Sequence, residues 1–196
     1  MATATNAKPA ETVVPTITRV YLAPVGTVAP TDATSAMDPA LRDVGHTTED
    51  SLKFNEEVNF EQIKSAQSLS PIRTFQTSEA GTVEVDLQQW SGPNFRAVYG
   101  GGTITEITPA GGGPKHYKFA PPRIGGRGEV MAVVEVIDGG KHYRYVMPRC
   151  MQMEGVSKDL GQGKAAVLPL RLAIQGGDDL DNWYMITDDP AFAPAA

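Results

Sequence analysis

Three histidines, one cysteine and a carboxylate-rich C-terminal stretch are the side chains of this chain whose types allow chemistry. His46 follows a glycine, and His116 and His142 each precede a tyrosine; none falls in HxH, HxxxH or HExxH spacing, the patterns that turn two imidazoles toward one metal ion. They read as solvent-facing strand residues. Cys150 has no adjacent histidine to draw off its proton and reads as a small buried hydrophobe. Asp178, Asp179, Asp181, Asp188 and Asp189 offer enough oxygen for Ca²⁺. The ligand order of an EF-hand, with its central glycine and distal glutamate, is missing, so solvated turns flanking a strand are expected. Residues 123–128 (RIGGRG) lack the Gly-Lys-Ser/Thr ending of a phosphate loop and the helix after it, and no GxSxG elbow or Rossmann fingerprint occurs. No enzyme, cofactor or metal site is expected.

Nucleic-acid readout is equally unsupported by motif. Arg123, Arg127, Lys141, Arg144 and Arg149 are interspersed with glutamates and carry no aromatic residue at a fixed step, and the formal net charge of the chain is -6. An acidic protein can still meet DNA, provided the DNA has to slide. One cysteine leaves no intrachain disulfide framework and fits a reducing cytoplasm. No apolar run approaches the ~20 residues of a membrane helix, and no charged stretch followed by an apolar one marks an export signal, so a soluble protein is expected.

Such residues need elements to carry them, and the chain supplies mostly strands. Its 196 residues suit one domain, and 20 Gly with 15 Pro suit many strands joined by turns. The expected class is all-β, a mainly antiparallel sandwich or partly open barrel with one short flanking α-helix. Residues 1–16 are rich in Ala, Thr and Pro and read as a flexible N-terminal arm; 17–188 form a single β-rich domain, and 189–196 a C-terminal tail. Strands are expected at 17–22, 42–46, 103–108, 116–119, 129–137, 142–148, 151–157, 164–174 and 182–187, about ten with those of the central unit, the turn at Asp138-Gly139-Gly140-Lys141 making a hairpin. In 164–174, Leu168, Leu170, Leu172 and Ile174 share the core face, opposite Val167, Pro169, Arg171 and Ala173; Pro169 suggests an edge or a bulge.

The most organised stretch is 71–102. In 82–89 Val83, Val85 and Leu87 share one face and Glu84, Asp86 and Gln88 the other, the pattern of a half-buried antiparallel strand. Residues 72–77 precede it through Ser78-Glu79-Ala80-Gly81, read as the turn of a hairpin. Then the period changes: Ser91 is placed to cap a helix with Pro93 in its first turn, Phe95, Val98 and Tyr99 share a face, and Gly100-Gly101-Gly102 ends it. Just upstream, 47–70 is the most acidic portion. Phe54 and Phe60 alternate with polar residues among Glu49, Asp50, Glu56, Glu57 and Glu61. It reads either as a mobile surface loop or as an extended hairpin or loop that docks on another subunit.

Four short stretches, in order, carry a resemblance: 20–27 (VYLAPVGT), 43–50 (DVGHTTED), 67–73 (QSLSPIR) and 87–90 (LQQW). They resemble the major tail tube proteins of long-tailed, non-contractile (siphovirus-type) bacteriophages of actinobacteria, over residues 17–190. That resemblance implies a virion structural protein, assembled in the host cytoplasm, whose copies form rings of six stacked into the hollow tail tube through which genomic DNA is ejected. It also implies tape measure, tail terminator and distal tail proteins as partners, double-stranded DNA as transient cargo, and no membrane. If the central hairpin lines the bore, Glu84 and Asp86 project into it and repetition makes the wall negative, so phosphates are repelled and DNA slides; residues 130–147 are an equal candidate for that position. The acidic loop (Glu49, Asp50, Phe54, Glu56, Glu57, Phe60, Glu61) then reaches the neighbouring ring. A β-sandwich binding module, such as a capsid decoration or carbohydrate-binding protein, competes, but Trp90 and Trp183 sit at a strand–helix junction and in a last strand rather than in a planar exposed row. A hydrolase would need a nucleophile–base pair that the linear sequence does not display.

Overall fold

The computed structural model describes residues 8–176 and 181–194. Ten strands, one α-helix and two single turns of 3-10 helix occur among them. The strands are β1 (Ile17–Pro24), β2 (Arg42–Asp43), β3 (Lys53–Ser65), β4 (Ser68–Leu87), β5 (Thr103–Ile107), β6 (His116–Ala120), β7 (Glu129–Asp138), β8 (Lys141–Gln152), β9 (Leu168–Ile174) and β10 (Tyr184–Thr187), and the helix α1 is Gly92–Val98. Eight strands form one antiparallel sheet in the order β2-β1-β7-β8-β9-β4-β3, with β10 also pairing β8; β5 and β6 form a separate hairpin. The sheets stay open and do not close into a barrel, which gives the expected β-sandwich with one short helix.

The sheet curls because β8 changes neighbours along its length. Its residues 143–146 pair β10, whereas Cys150, Met151 and Gln152 pair β9. Curling brings Val20, Ala132, Val134 and Met147 against Val83, Val85, Leu87, Leu168, Leu170 and Leu172, all buried in one cluster. The alternation in β9 and in the lower part of β4 therefore points as the sequence pattern implies, with leucines and valines inward. Each such fully buried side chain contributes roughly 1.5–3 kcal/mol by leaving water. The opposite face of β7 and β8 is covered as well: Met131, Val133 and Val146 pack with Ala23 and Leu41, partly beneath the polar loop after β1. Glu135 and Arg144 are buried on that side as an ion pair, Nη2 to Oε1 2.9 Å, and Arg144 also donates to the carbonyls of Asp32 and Ser35, which pins the loop down.

Helix α1 forms as its residue types dictate. The Ser91 hydroxyl accepts from the Asn94 amide, Pro93 lies in the first turn, and Val98 is fully buried. Gly100, Gly101 and Gly102 all take positive φ, which ends the helix where a side chain would be strained. Asn94, also fully buried, ties the helix to the body by donating to the carbonyls of Val44 and Gln89.

Two expectations are corrected. Residues 72–89 are not two strands joined by a turn at Ser78–Gly81: the chain runs straight through as β4, 20 residues long. Gly81 is absent from the positive-φ positions; it sits close under the Ile174 side chain, whose Cδ1 would lie 2.7 Å from a Cβ there and would have to shift. The actual turn is at residues 66–67, between β3 and β4. Likewise 142–148 and 151–157 are not separate strands. β8 continues through Pro148, where the register against β7 shifts and the extra residue of the bulge absorbs the missing donor. Pro169 lies within β9, between β8 and β4 in the sheet order; the Arg171 amide points toward β8, to Gln152 Oε1, so the Pro169 nitrogen two residues earlier points the same way, beyond the last β8 pairing at Leu172. The last strand starts at Tyr184, and Asp178 and Asp179 lie outside the described residues.

Candidate functional site

The surface that sets this molecule apart from an ordinary sandwich is the hairpin of β3 and β4. The two strands pair antiparallel from Lys53↔Glu84 to Ser65↔Ser68, but β9 accompanies β4 only from Thr82 to Leu87. Beyond that point the hairpin leaves the body. With ~3.3 Å per residue, ten residues of β3 carry the tip about 33 Å from its root. Along this projection nearly every side chain on both faces is exposed, including Val58, Phe60, Ile63, Leu69, Ile72 and Phe75. Leu69 is as open as in an extended chain, at 107%. Neither β3 on its outer side nor β4, before Thr82, on the side away from β3 has a strand partner among the described residues. An isolated two-stranded ribbon is marginal in water, and paired edges left open template further pairing.

Local bonds hold the ribbon's register. Asn59 Nδ2 donates to Ser78 Oγ at 3.2 Å, and the Thr77 hydroxyl donates to the Asn59 carbonyl at the bulge where β4 gains a residue. The root is better anchored. Phe54 is half-buried in the body, edge-on to Trp183 at 4.9 Å between ring centres and 6.0 Å from Tyr145. Trp183 Nε1 donates to Glu56 Oε1 at 2.6 Å. Of the acidic-loop residues singled out from sequence, Phe54 and Glu56 thus belong to the root, Glu57, Phe60 and Glu61 to the exposed ribbon, and Glu49 and Asp50 to an exposed turn below it. Asp50 takes φ 58° in that turn, a conformation aspartate tolerates better than most residues.

Glu84 and Asp86 lie on one face of β4 where it pairs β9. Between them reaches Arg171, a residue that reading β4 alone misses: its Nη2 is 2.8 Å from Asp86 Oδ1, its Nε 3.5 Å from Glu84 Oε2, and its Nη1 donates to the Val85 carbonyl. Asn55 Nδ2 also donates to Glu84, and Lys53 is its cross-strand neighbour. The signal was present in β9, where alternation sets Arg171 opposite the leucines; register makes it the partner of Glu84. This face therefore carries two carboxylates, one guanidinium and the Lys53 ammonium per subunit. The rival hairpin of β7 and β8 is buried on both faces within the subunit.

Residues near both described ends of the chain meet at the β7–β8 turn. Lys141 Nζ donates to the Ala10 carbonyl at 2.7 Å and pairs with Asp189 at 2.9 Å; Tyr143 hydroxyl donates to Asp189 at 2.6 Å. The tyrosine hydrogen bond is the main reason the Asp189 carboxyl is lowered to about 2, and the same bond raises Tyr143 to about 12. His142 Nδ1 lies 3.1 Å from Asp188. Burial pushes the Cys150 thiol up to about 12, which removes its nucleophilic form at neutral pH. The three histidines are not brought together, and among the described residues no group of three His, Cys, Asp or Glu side chains is placed to hold a metal ion.

A family model described as phage tail tube protein matches residues 4–196. The chain belongs to the phage tail tube protein family. No curated protein sequence matches it. As a tail tube protein it is a structural component of the virion tail, built to assemble with copies of itself and other tail proteins. No helix among the described residues is long and apolar enough to cross a membrane.

Proposed function

We propose that the protein is the subunit of a stacked-ring tail tube, six copies per ring, that conducts genomic DNA into the host. The motifs shared with the tail tubes of long-tailed, non-contractile phages of actinobacteria make such a phage its source. A tape measure protein would occupy the bore during assembly, and terminator and distal tail proteins would close the ends.

The observation that carries this reading is the ribbon formed by residues 55–80, uncovered on both faces and both edges while anchored at its root. Glu57, Phe60 and Glu61 are offered to a neighbouring ring by that ribbon. The β4–β9 face with Glu84, Asp86 and Arg171 is the wall assigned to the bore. Arg171 and Lys53 on the same face offset the charge of Glu84 and Asp86, so the wall holds no excess of positive charge to bind phosphate, and the two carboxylates, repeated six-fold, keep DNA sliding.

Electron microscopy of the purified protein over a range of concentrations tests the assembly. Hollow tubes or six-membered rings are expected, and replacing residues 56–80 with a short turn should leave a folded monomer that forms neither. Tubes assembled by the shortened protein would refute the role of the ribbon. For the bore, Glu84→Lys combined with Asp86→Lys in the phage should slow DNA ejection from intact tails; unchanged ejection would remove both residues from the wall.

A further inference from the structure

We propose that the tip of one subunit's ribbon docks into the cleft at the root of another subunit's ribbon, a head-to-tail contact between copies of this chain. The inference rests on the tail tube reading above and names the surface that receives the ribbon. That surface is a cleft of about 590 Å³ at the open mouth of the sandwich, floored by Leu52, Phe54, Val83 and Val136, with Glu49 and Asp50 at its rim. Thr48 also lines it, and its hydroxyl oxygen is buried without a hydrogen-bond partner. A peptide group seated beside Thr48 would supply one.

The two ends of the ribbon are complementary in both apolarity and charge. The distal part, residues 62–74, contains Lys64 and Arg73 and no carboxylate, and it exposes Ile63, Leu69 and Ile72. The proximal part, residues 49–61 with 75–84, contains seven carboxylates against Lys53 alone. A cationic apolar tip thus faces an acidic apolar cleft. They cannot meet within one chain, since about 33 Å of paired strand separates them. Leu69, fully exposed in the subunit, supplies the apolar anchor, and Lys64 supplies the charge for Glu49 and Asp50. A contact between two different patches is heterologous, so it propagates from copy to copy instead of closing a dimer. That is the geometry a growing tube requires.

Two measurements on tubes of the full chain test it. Leu69→Cys combined with Leu52→Cys, oxidised after assembly, should give a ladder of disulfide-linked oligomers, and either single variant should not; native Cys150 is fully buried and stays out of the reaction. Lys64→Glu should raise the concentration needed for assembly about tenfold or more, and adding Glu49→Lys with Asp50→Lys should bring it back to within about threefold of the unaltered protein. The second measurement covers the case in which Leu52→Cys weakens folding. Tubes that form normally but neither cross-link nor show charge-swap rescue would overturn the docking and leave the tail tube reading standing. An unaltered protein that never forms rings or tubes, with or without other tail proteins, would instead overturn that reading and the docking with it.

Discussion

Replacing Arg171 by glutamine isolates the electrostatics of the β4–β9 face. Arg171 reaches Asp86 at 2.8 Å and Glu84 at 3.5 Å, and all three side chains are about one quarter to one third exposed. Losing charge-assisted bonds at that exposure costs about 1 kcal/mol net, well below the gross Coulomb attraction, because water screens the pair. Glu84 and Asp86 are then left on one face two residues apart, roughly 7 Å by strand geometry. Their repulsion is about 0.6 kcal/mol at the dielectric of water and about 2.4 kcal/mol at an effective value of 20. That repulsion is present with or without Arg171 and does not add to the loss, which stays at about 1 kcal/mol, a fall of roughly 2–4 °C in Tm for a chain of this size. The attraction that Arg171 supplies and the repulsion it leaves both respond to salt: with a screening length near 3 Å at about 1 M, the repulsion across ~7 Å drops to about a tenth and the lost attraction shrinks with it. Thermal unfolding followed by circular dichroism at low and high salt should therefore show the deficit of Arg171→Gln shrinking by about half, and Glu84→Gln in the same background should recover a similar amount. A deficit equal at both salt concentrations would refute the charge argument and reduce Arg171 to a packing residue.

Leu170→Ala, at a fully buried position in the centre of β9, should cost about 2–5 kcal/mol in denaturant unfolding, most of it as a cavity between the two halves of the curled sheet. Gly102→Ala should destabilise by more than about 1 kcal/mol by the same assay, since Gly102 has φ 106° and a Cβ would lie 2.5 Å from the Ala120 carbonyl oxygen. Asp189 is depressed to about 2 in the folded state, so its bonds to Tyr143 and Lys141 contribute stability that is complete above the ordinary carboxylate range and is lost as pH falls from about 4 toward 2. Hydrogen exchange should accordingly show the segment 188–194 opening over that interval, and Asp189→Asn should open it already at neutral pH.

Much of the fold was legible in the residues because local and long-range preferences agree there. The β7–β8 hairpin announces itself by Asp138-Gly139-Gly140-Lys141, with Gly139 at φ 58°, and α1 by its serine cap, early proline and terminal glycines. The leucine face of β9 follows alternation. The length of β4 was hidden because Ser78-Glu79-Ala80-Gly81 has turn composition while the true turn, at Ala66 and Gln67, contains neither glycine, proline, asparagine nor aspartate. Gly81 was misleading for a specific reason: it sits close under the Ile174 side chain, within β4 rather than at a bend. The acidic pair Glu84 and Asp86 was visible, whereas Arg171 between them required the register of two strands 85 residues apart in sequence. The outline of the candidate site could thus be read locally, but its net charge could not.

The ribbon's root reconciles a stable subunit with the uncovered surface that the proposed assembly would bury. Residues 55–80 bury too little to be stable as an independent element, so their direction must be set where they leave the body. There Phe54 is held against Trp183 and Tyr145, and Trp183 in turn donates to Glu56, one residue beyond Asn55, which itself donates to Glu84 on the partner strand. Six side chains thus clamp both strands at the exit point, the three aromatic ones packed against the margin of the core. A ribbon aimed in this way loses less conformational freedom on docking than a loop of the same composition would, which lowers the cost of each contact a neighbour makes. Its exposed phenylalanines, leucine and isoleucines can then stay uncovered in the free subunit. Under the assembly proposed above, their burial comes at the step where one copy meets the next.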